Sequence, residues 1–94
     1  MDRKTPVIVT PEGTVTIFPP DNGKHYTLEE LQEAVGGYIQ LLPIPDGQSP
    51  KRVVVMNEEG RLHGLPRNDI ASQAFGSDAL IVGTVVVCPS RMIR

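Results

Sequence analysis

Tyr26-Thr27-Leu28-Glu29-Glu30-Leu31-Gln32-Glu33-Ala34-Val35-Gly36-Gly37-Tyr38-Ile39-Gln40-Leu41-Leu42 contains a whole helix, its stop signal and the strand after it. Thr27 and Glu30 have the spacing of a capping box, in which the threonine hydroxyl and the glutamate carboxylate satisfy reciprocal backbone N–H groups. Tyr26 precedes the cap and Leu31 falls at the fourth helical position, the arrangement of a hydrophobic staple. Leu28, Leu31, Ala34 and Val35 recur at helical spacing, while Glu29, Glu30, Gln32 and Glu33 form the polar side. Acidic residues in the first turn also suit the helix dipole. Gly36-Gly37 ends the helix, with one glycine expected in the left-handed position. A helix of about two turns is not stable alone, so it must dock on a sheet.

Upstream, Val7-Ile8-Val9 and Val15-Thr16-Ile17-Phe18 flank Thr10-Pro11-Glu12-Gly13-Thr14, which reads as a β-hairpin closed by a proline–glycine turn. Pro19-Pro20 ends the second strand, because neither residue can donate to a ladder. Downstream of Tyr38–Leu42, the proline-rich stretch Pro43–Pro50 is a loop. Arg52–Met56 is the next strand and Asn57-Glu58-Glu59-Gly60 a turn, with Gly60 placed to tolerate a positive φ. Arg61-Leu62-His63-Gly64 is expected to run back as a short strand. Asn68 then caps a second short helix that carries Ile70, Ala71, Ala74 and Phe75 on one face and stops at Gly76. Ala79–Val87 is apolar on both faces and reads as a central strand, with Gly83 marking a bulge or a close backbone approach. From Pro89 on, the chain is expected to fray or to serve for contacts.

The expected fold is therefore a small α+β domain: a mostly antiparallel β-sheet of about five to six strands with two short helices packed on it. Ninety-four residues suit one domain, 1–94, with the hairpin at about 7–18, a core at about 26–87 and a tail at 89–94. Apolar residues make up 39% and aromatics 4%, with no tryptophan, so Val, Ile and Leu must build a thin core and a homo-oligomer is a natural way to bury more surface.

Composition excludes several function classes. Nine Lys and Arg against eleven Asp and Glu give a net charge of -2, and the basic residues are dispersed, so duplex nucleic acid is not an expected partner. Low aromatic content leaves little for stacking single-stranded bases. No apolar run reaches the length of a membrane span, and the N-terminus lacks a secretory signal. Cys88 is the single cysteine, which fits a reducing cytoplasm, and its place in an apolar strand reads as a buried structural thiol.

No catalytic constellation, metal site or cofactor is expected. His25, His63 and Cys88 lack the close pairing of a zinc site, and no serine sits in a glycine elbow. Gly36-Gly37 closes a helix where a phosphate cradle would have to open one. One dense polar segment remains, from Asn57 to Asn68. Turn and cap chemistry accounts for Asn57, Gly60 and Asn68. The alternative is a binding loop on a rigid scaffold, with Asn57, Glu58, Glu59, His63, Arg67 and Asn68 as candidate residues.

Three linked pieces also resemble a known family: Leu28-x-x-Leu31-Gln32-x-x-Val35-Gly36-Gly37, Asn57-Glu58-Glu59-Gly60-x-Leu62-x-Gly64-Leu65-Pro66-x-Asn68, and Ile81-Val82-Gly83-Thr84. Over about residues 15–87 the chain is similar to domain of unknown function 3846, a family of small proteins seen in bacteriophages, plasmids and bacterial genomes. The N-terminal hairpin and the Cys88-Pro89 tail look like additions to it. The resemblance lends no catalytic residue; it implies a mobile-element accessory protein of the bacterial cytoplasm. The expectation that follows is a non-enzymatic protein that binds a host protein or small ligand. Its rival is a small-molecule or nucleotide-handling enzyme domain using Glu58, His63 and Asn68.

Overall fold

The structure is a computed structural model and describes residues 4–45, 47–75 and 80–93. Its elements in chain order are β1 (Val7–Val9), β2 (Val15–Ile17), α1 (Leu28–Val35), β3 (Ile39–Pro43), β4 (Arg52–Asn57), α2 (Asp69–Phe75) and β5 (Val85–Pro89), followed by a 3₁₀ turn at Ser90–Met92. The five strands form one sheet in the order β2-β1-β5-β4-β3, and every pairing in it is antiparallel. Two helices and this sheet make a small α+β fold.

The sheet is apolar on both faces because its central strands alternate two sets of valines. Val53 and Val55 of β4 and Val86 and Cys88 of β5 face one side, where they pack with Leu31 and Val35 of α1, Tyr26 and Met92. Val54 of β4, Val85 and Val87 of β5, and Val7 and Val9 of β1 face the other side with Ala71 of α2 and Ile81. Strand β5 is buried along its whole length, as a strand covered on both faces must be.

Helix α1 begins as its sequence dictates. The Glu30 backbone N–H donates to Thr27 Oγ1 at 3.1 Å, and the Thr27 N–H donates to Glu30 Oε1 at 2.7 Å. Gly36 closes it in the left-handed region, with φ 81°, and the N–H groups of Gly36 and Gly37 both donate to the Gln32 carbonyl. Leu31 and Val35 are buried, but Leu28 is 57% exposed although its spacing puts it beside them. Tyr26 is buried, stacks on Phe18 with ring centroids 5.5 Å apart, and donates its hydroxyl to the Phe18 carbonyl. Burial raises the Tyr26 hydroxyl pKa, and the neighbouring Cys88 and Glu30 add to the shift.

The structure corrects three local expectations and decides between the two readings of the tail. Arg61–Gly64 is no return strand: β4 already has β3 on one side and β5 on the other, so no edge is left for a hairpin partner. The segment closes into turns, with the N–H of His63 on the Glu59 carbonyl and that of Gly64 on the Arg61 carbonyl. The last strand starts at Val85; Gly83, at φ 77°, bends the chain before it, and only an isolated bridge, Val82 to Arg67, precedes it. Met92 is buried and Ile93 packs on the α1-side core, so the tail serves for contacts. On α2 the buried positions are Ala71 and Ser72, whereas Ile70 and Ala74 are exposed. Ser72 earns burial because its hydroxyl donates to the Ile81 carbonyl and accepts from the Ile81 N–H, both at 3.0 Å. The expected stop at Gly76 lies outside the described residues.

Candidate functional site

The polar segment from Asn57 to Asn68 divides into residues that build the fold and residues that face outward. Asn57 ends β4 and is only 8% exposed. Its Nδ2 donates to the Val35 carbonyl at 3.2 Å and its Oδ1 accepts from the Glu59 N–H at 2.8 Å, tying the end of α1 to the turn. Gly37 leaves room at this junction: a Cβ there would lie 3.0 Å from Asn57 Nδ2, and the amide would have to give by a few tenths of an ångström.

Asn68 is fully buried. Its Oδ1 accepts from the Ala71 N–H at 3.1 Å, the expected cap, and its Nδ2 donates to the carbonyls of Val9 at 3.0 Å and Gly83 at 2.9 Å. One amide thereby joins α2, β1 and the bend before β5. Arg67 pairs through Nε with Asp69 at 2.8 Å, but both side chains are more than half exposed, so the pair contributes little.

Between these two asparagines the backbone is held by a dense ladder. Glu58 N–H donates to Tyr38 O, Gly60 N–H to Asn57 O, and Leu65 N–H to Gly60 O, in addition to the Glu59, His63 and Gly64 bonds already given. Gly60 is needed for space and not for a positive φ: a Cβ there would sit 2.8 Å from Val82 Cγ2. The positive φ belongs to Gly64, at 66°. Arg61 adds a side-chain bond from Nη2 to the Leu80 carbonyl at 3.1 Å. The turn is therefore rigid, and at its tip Leu62 is 80% exposed.

Two shallow hollows flank the turn. One, of about 300 Å³, is lined by Gln40, Leu42, Met56, Glu58, Arg61 and Leu80 among others. The second, of about 220 Å³, is lined by Gln32, Gly37, Tyr38, Asn57, Glu59 and His63. Asn57 borders both. Glu58 and His63 thus line different hollows, and Asn68 is enclosed in the fold; the three are not brought together around one reacting centre. Among the described residues no group of three His, Cys, Asp or Glu side chains is arranged to hold a metal ion. Cys88 is buried, and burial pushes its thiol up to about 12. Among the described residues no helix is long and apolar enough to cross a membrane.

A family model described as domain of unknown function DUF3846 matches residues 4–91. The chain belongs to the DUF3846 family. The match takes in the β1–β2 hairpin and the Cys88-Pro89 end of β5, which the resemblance had set down as additions to the family region. No curated protein and no solved structure matches this DUF3846 chain.

Sequence reasoning passed over Leu62 and Arg61 of this DUF3846 turn, because a leucine in a supposed return strand is expected to face the core. A signal was present. Gly60 and Gly64 bracket Arg61-Leu62-His63, and two glycines four apart mark a turn more readily than a strand.

Proposed function

We propose that this DUF3846 domain is a non-enzymatic accessory protein of a phage or other mobile element, and that it acts in the bacterial cytoplasm by binding a host protein through the Glu58–Gly64 turn. The observation that carries this reading is a leucine 80% exposed at the tip of a turn in which the amides of Glu58, Glu59, Gly60, His63 and Gly64 are hydrogen-bonded. Exposing a leucine opposes solubility, and immobilising the backbone beneath it lowers the entropy lost on docking. An apolar anchor on a preorganised loop, ringed by Glu58, Glu59, Arg61 and His63, has the composition of a protein contact with a polar rim. A small ligand suits the turn less well. The two hollows are at or below the lower end of ligand-pocket volumes, about 300 Å³, and Leu62, the most exposed large apolar side chain among the described residues, is left out in solvent. The enzyme reading is weakened by the separation of Glu58, His63 and Asn68. The mobile-element setting rests on the family resemblance.

The test is capture of interacting proteins from host lysate on the immobilised chain, followed by titration calorimetry with the recovered protein. Leu62→Glu should weaken that binding by about tenfold to a hundredfold, as loss of an interface anchor does. Unchanged affinity in this variant would remove the turn from the contact.

A further inference from the structure

Strand β3 is an edge of the sheet and carries none of the charged residues that keep edges apart; from Ala34 to Pro45 the chain has no charge at all. We infer that β3 pairs with β3 of a second copy of this chain, antiparallel about Gln40, to form a two-fold dimer with one continuous ten-stranded sheet, two sets of five.

The register follows from the backbone. The N–H of Glu58 donates to Tyr38 O and that of Ile44 to Arg52 O, so Tyr38, Gln40, Leu42 and Ile44 turn their hydrogen-bonding groups inward to β4. Ile39, Leu41 and Pro43 then direct theirs outward. A two-fold at Gln40 sets Ile39 opposite the second copy's Leu41 and Leu41 opposite its Ile39. Each of these pairs exchanges both N–H···O bonds, giving four in total. Pro43 falls opposite Gly37 of the other copy, whose N–H is already used on Gln32 O, and no bond is lost. Moving the axis to Leu41 would also allow four bonds, since each Ile39 N–H would meet the second copy's Pro43 carbonyl, but it would replace the two reciprocal Ile39–Leu41 contacts by one Leu41–Leu41 contact and set Ile39 against proline. The side chains thus select the register.

The side chains fit the same register. Ile39 packs with the α1-side core and lines a hollow of about 330 Å³ with Tyr26, Leu28, Leu31 and Ile93. Leu41, 43% exposed, lies on the same face of β3 two residues on. In the dimer each Leu41 meets the other copy's Ile39 at the mouth of that hollow, and the contact is reciprocal, as a two-fold requires. This supplies apolar cover for Leu28, whose exposure the monomer leaves unexplained. The flank of α1 toward β3 is uncharged: Leu28 shares the hollow with Ile39, and Gln32 shares one with Tyr38. Glu30 and Glu33 of α1 line the hollow on the opposite flank, with Ile8 and Phe18, and so stay clear of the contact. The other edge, β2, is three residues long against five in β3.

Sedimentation equilibrium of the full chain, with each variant checked for native circular dichroism, tests this. Wild type should dimerise, and Leu41→Lys, at an exposed position that does not threaten folding, should weaken association by about a hundredfold or more, because it places two ammonium groups in an apolar contact. Ile17→Lys on the β2 edge should leave it unchanged. Gln40→Cys should form an inter-chain disulfide under mild oxidation, since residues facing each other at the axis bring their Cβ atoms to about 4.5–5.5 Å, whereas Leu41→Cys should not; buried Cys88 is no competitor. A wild type that stays monomeric at every concentration, a dimer lost with Ile17→Lys and kept with Leu41→Lys, or cross-linking of Leu41→Cys in place of Gln40→Cys would each overturn the proposal. These outcomes are independent of Leu62 and of host-protein binding.

Discussion

Replacing Asn68 by alanine takes a hydrogen-bond partner from three buried backbone groups at once. The Val9 and Gly83 carbonyls lose the donor that this side chain supplies, and the Ala71 N–H loses its cap. A buried polar group left without a partner costs about 1–3 kcal/mol, and a lost N-cap about 0.5–2 kcal/mol. The three share one side chain and will not add fully, so Asn68→Ala should lose about 3–5 kcal/mol. A domain of this length has roughly 5–14 kcal/mol in all. Urea unfolding followed by circular dichroism should show the midpoint lowered by about 2–4 M. Asn68→Asp refines the test. Its carboxyl can still cap Ala71, but as an anion it would face two carbonyl oxygens, which raises its folded-state pKa above the unfolded value of about 3.9. A raised folded pKa gives stability that is present below the unfolded pKa and lost as pH rises through the folded one. Relative to wild type, this variant should therefore be worst at neutral pH and recover toward about pH 4. A loss below about 1 kcal/mol for Asn68→Ala, or an aspartate deficit that does not change with pH, would refute the claim that Asn68 joins three segments.

Two further outcomes follow from the backbone and the first helix cap. Gly83→Ala meets both a positive φ of 77° and Leu65 Cδ1 at 2.8 Å, whereas Gly36→Ala meets a φ of 81° in open space. Thermal unfolding should rank the first as more damaging, with about 1 kcal/mol for the second; equal losses would show that Leu65 yields freely. Glu30 accepts from the backbone N–H groups of Thr27 and Asp21, which hold its carboxyl below the usual range. A depressed folded pKa contributes stability present above the unfolded value and lost as pH falls through the folded one. The stability gap between wild type and Glu30→Gln should close on acidification below the ordinary glutamate range, and a gap constant with pH would contradict this.

Features governed by near neighbours were readable in the sequence. The capping box at Thr27, the left-handed Gly36, the β1–β2 hairpin and the cap at Asn68 each depend on residues a few positions apart, and each stands where the pattern puts it. What lay beyond local reading was long-range. The capping oxygen of Asn68 was legible, but the partners of its nitrogen are 59 and 15 residues away, and only the assembled sheet brings them together. The return strand expected at Arg61–Gly64 failed for the same reason: strand propensity in four residues carries no knowledge that both flanks of β4 are taken. Of the candidate residues, Glu58, Glu59, His63 and Arg67 do face solvent, while Asn57 and Asn68 serve the scaffold. Leu62 escaped notice because hydrophobicity alone argues for burial.

The position of β5 also governs how the chain can be made. The β1–β2 ribbon and the β3–β4 ribbon are separate until β5 slots between them, since β1 and β4 touch the rest of the sheet through it. During vectorial synthesis neither ribbon can close its inner edge before Val85–Pro89 has left the ribosome. Until then two open, valine-lined edges face the crowded cell. Assembly is a single late event that joins Val7 to Val87 across eighty residues of chain, the kind of distant closure that slows folding. A ribosome stalled before that point would hold two sticky ribbons and no domain.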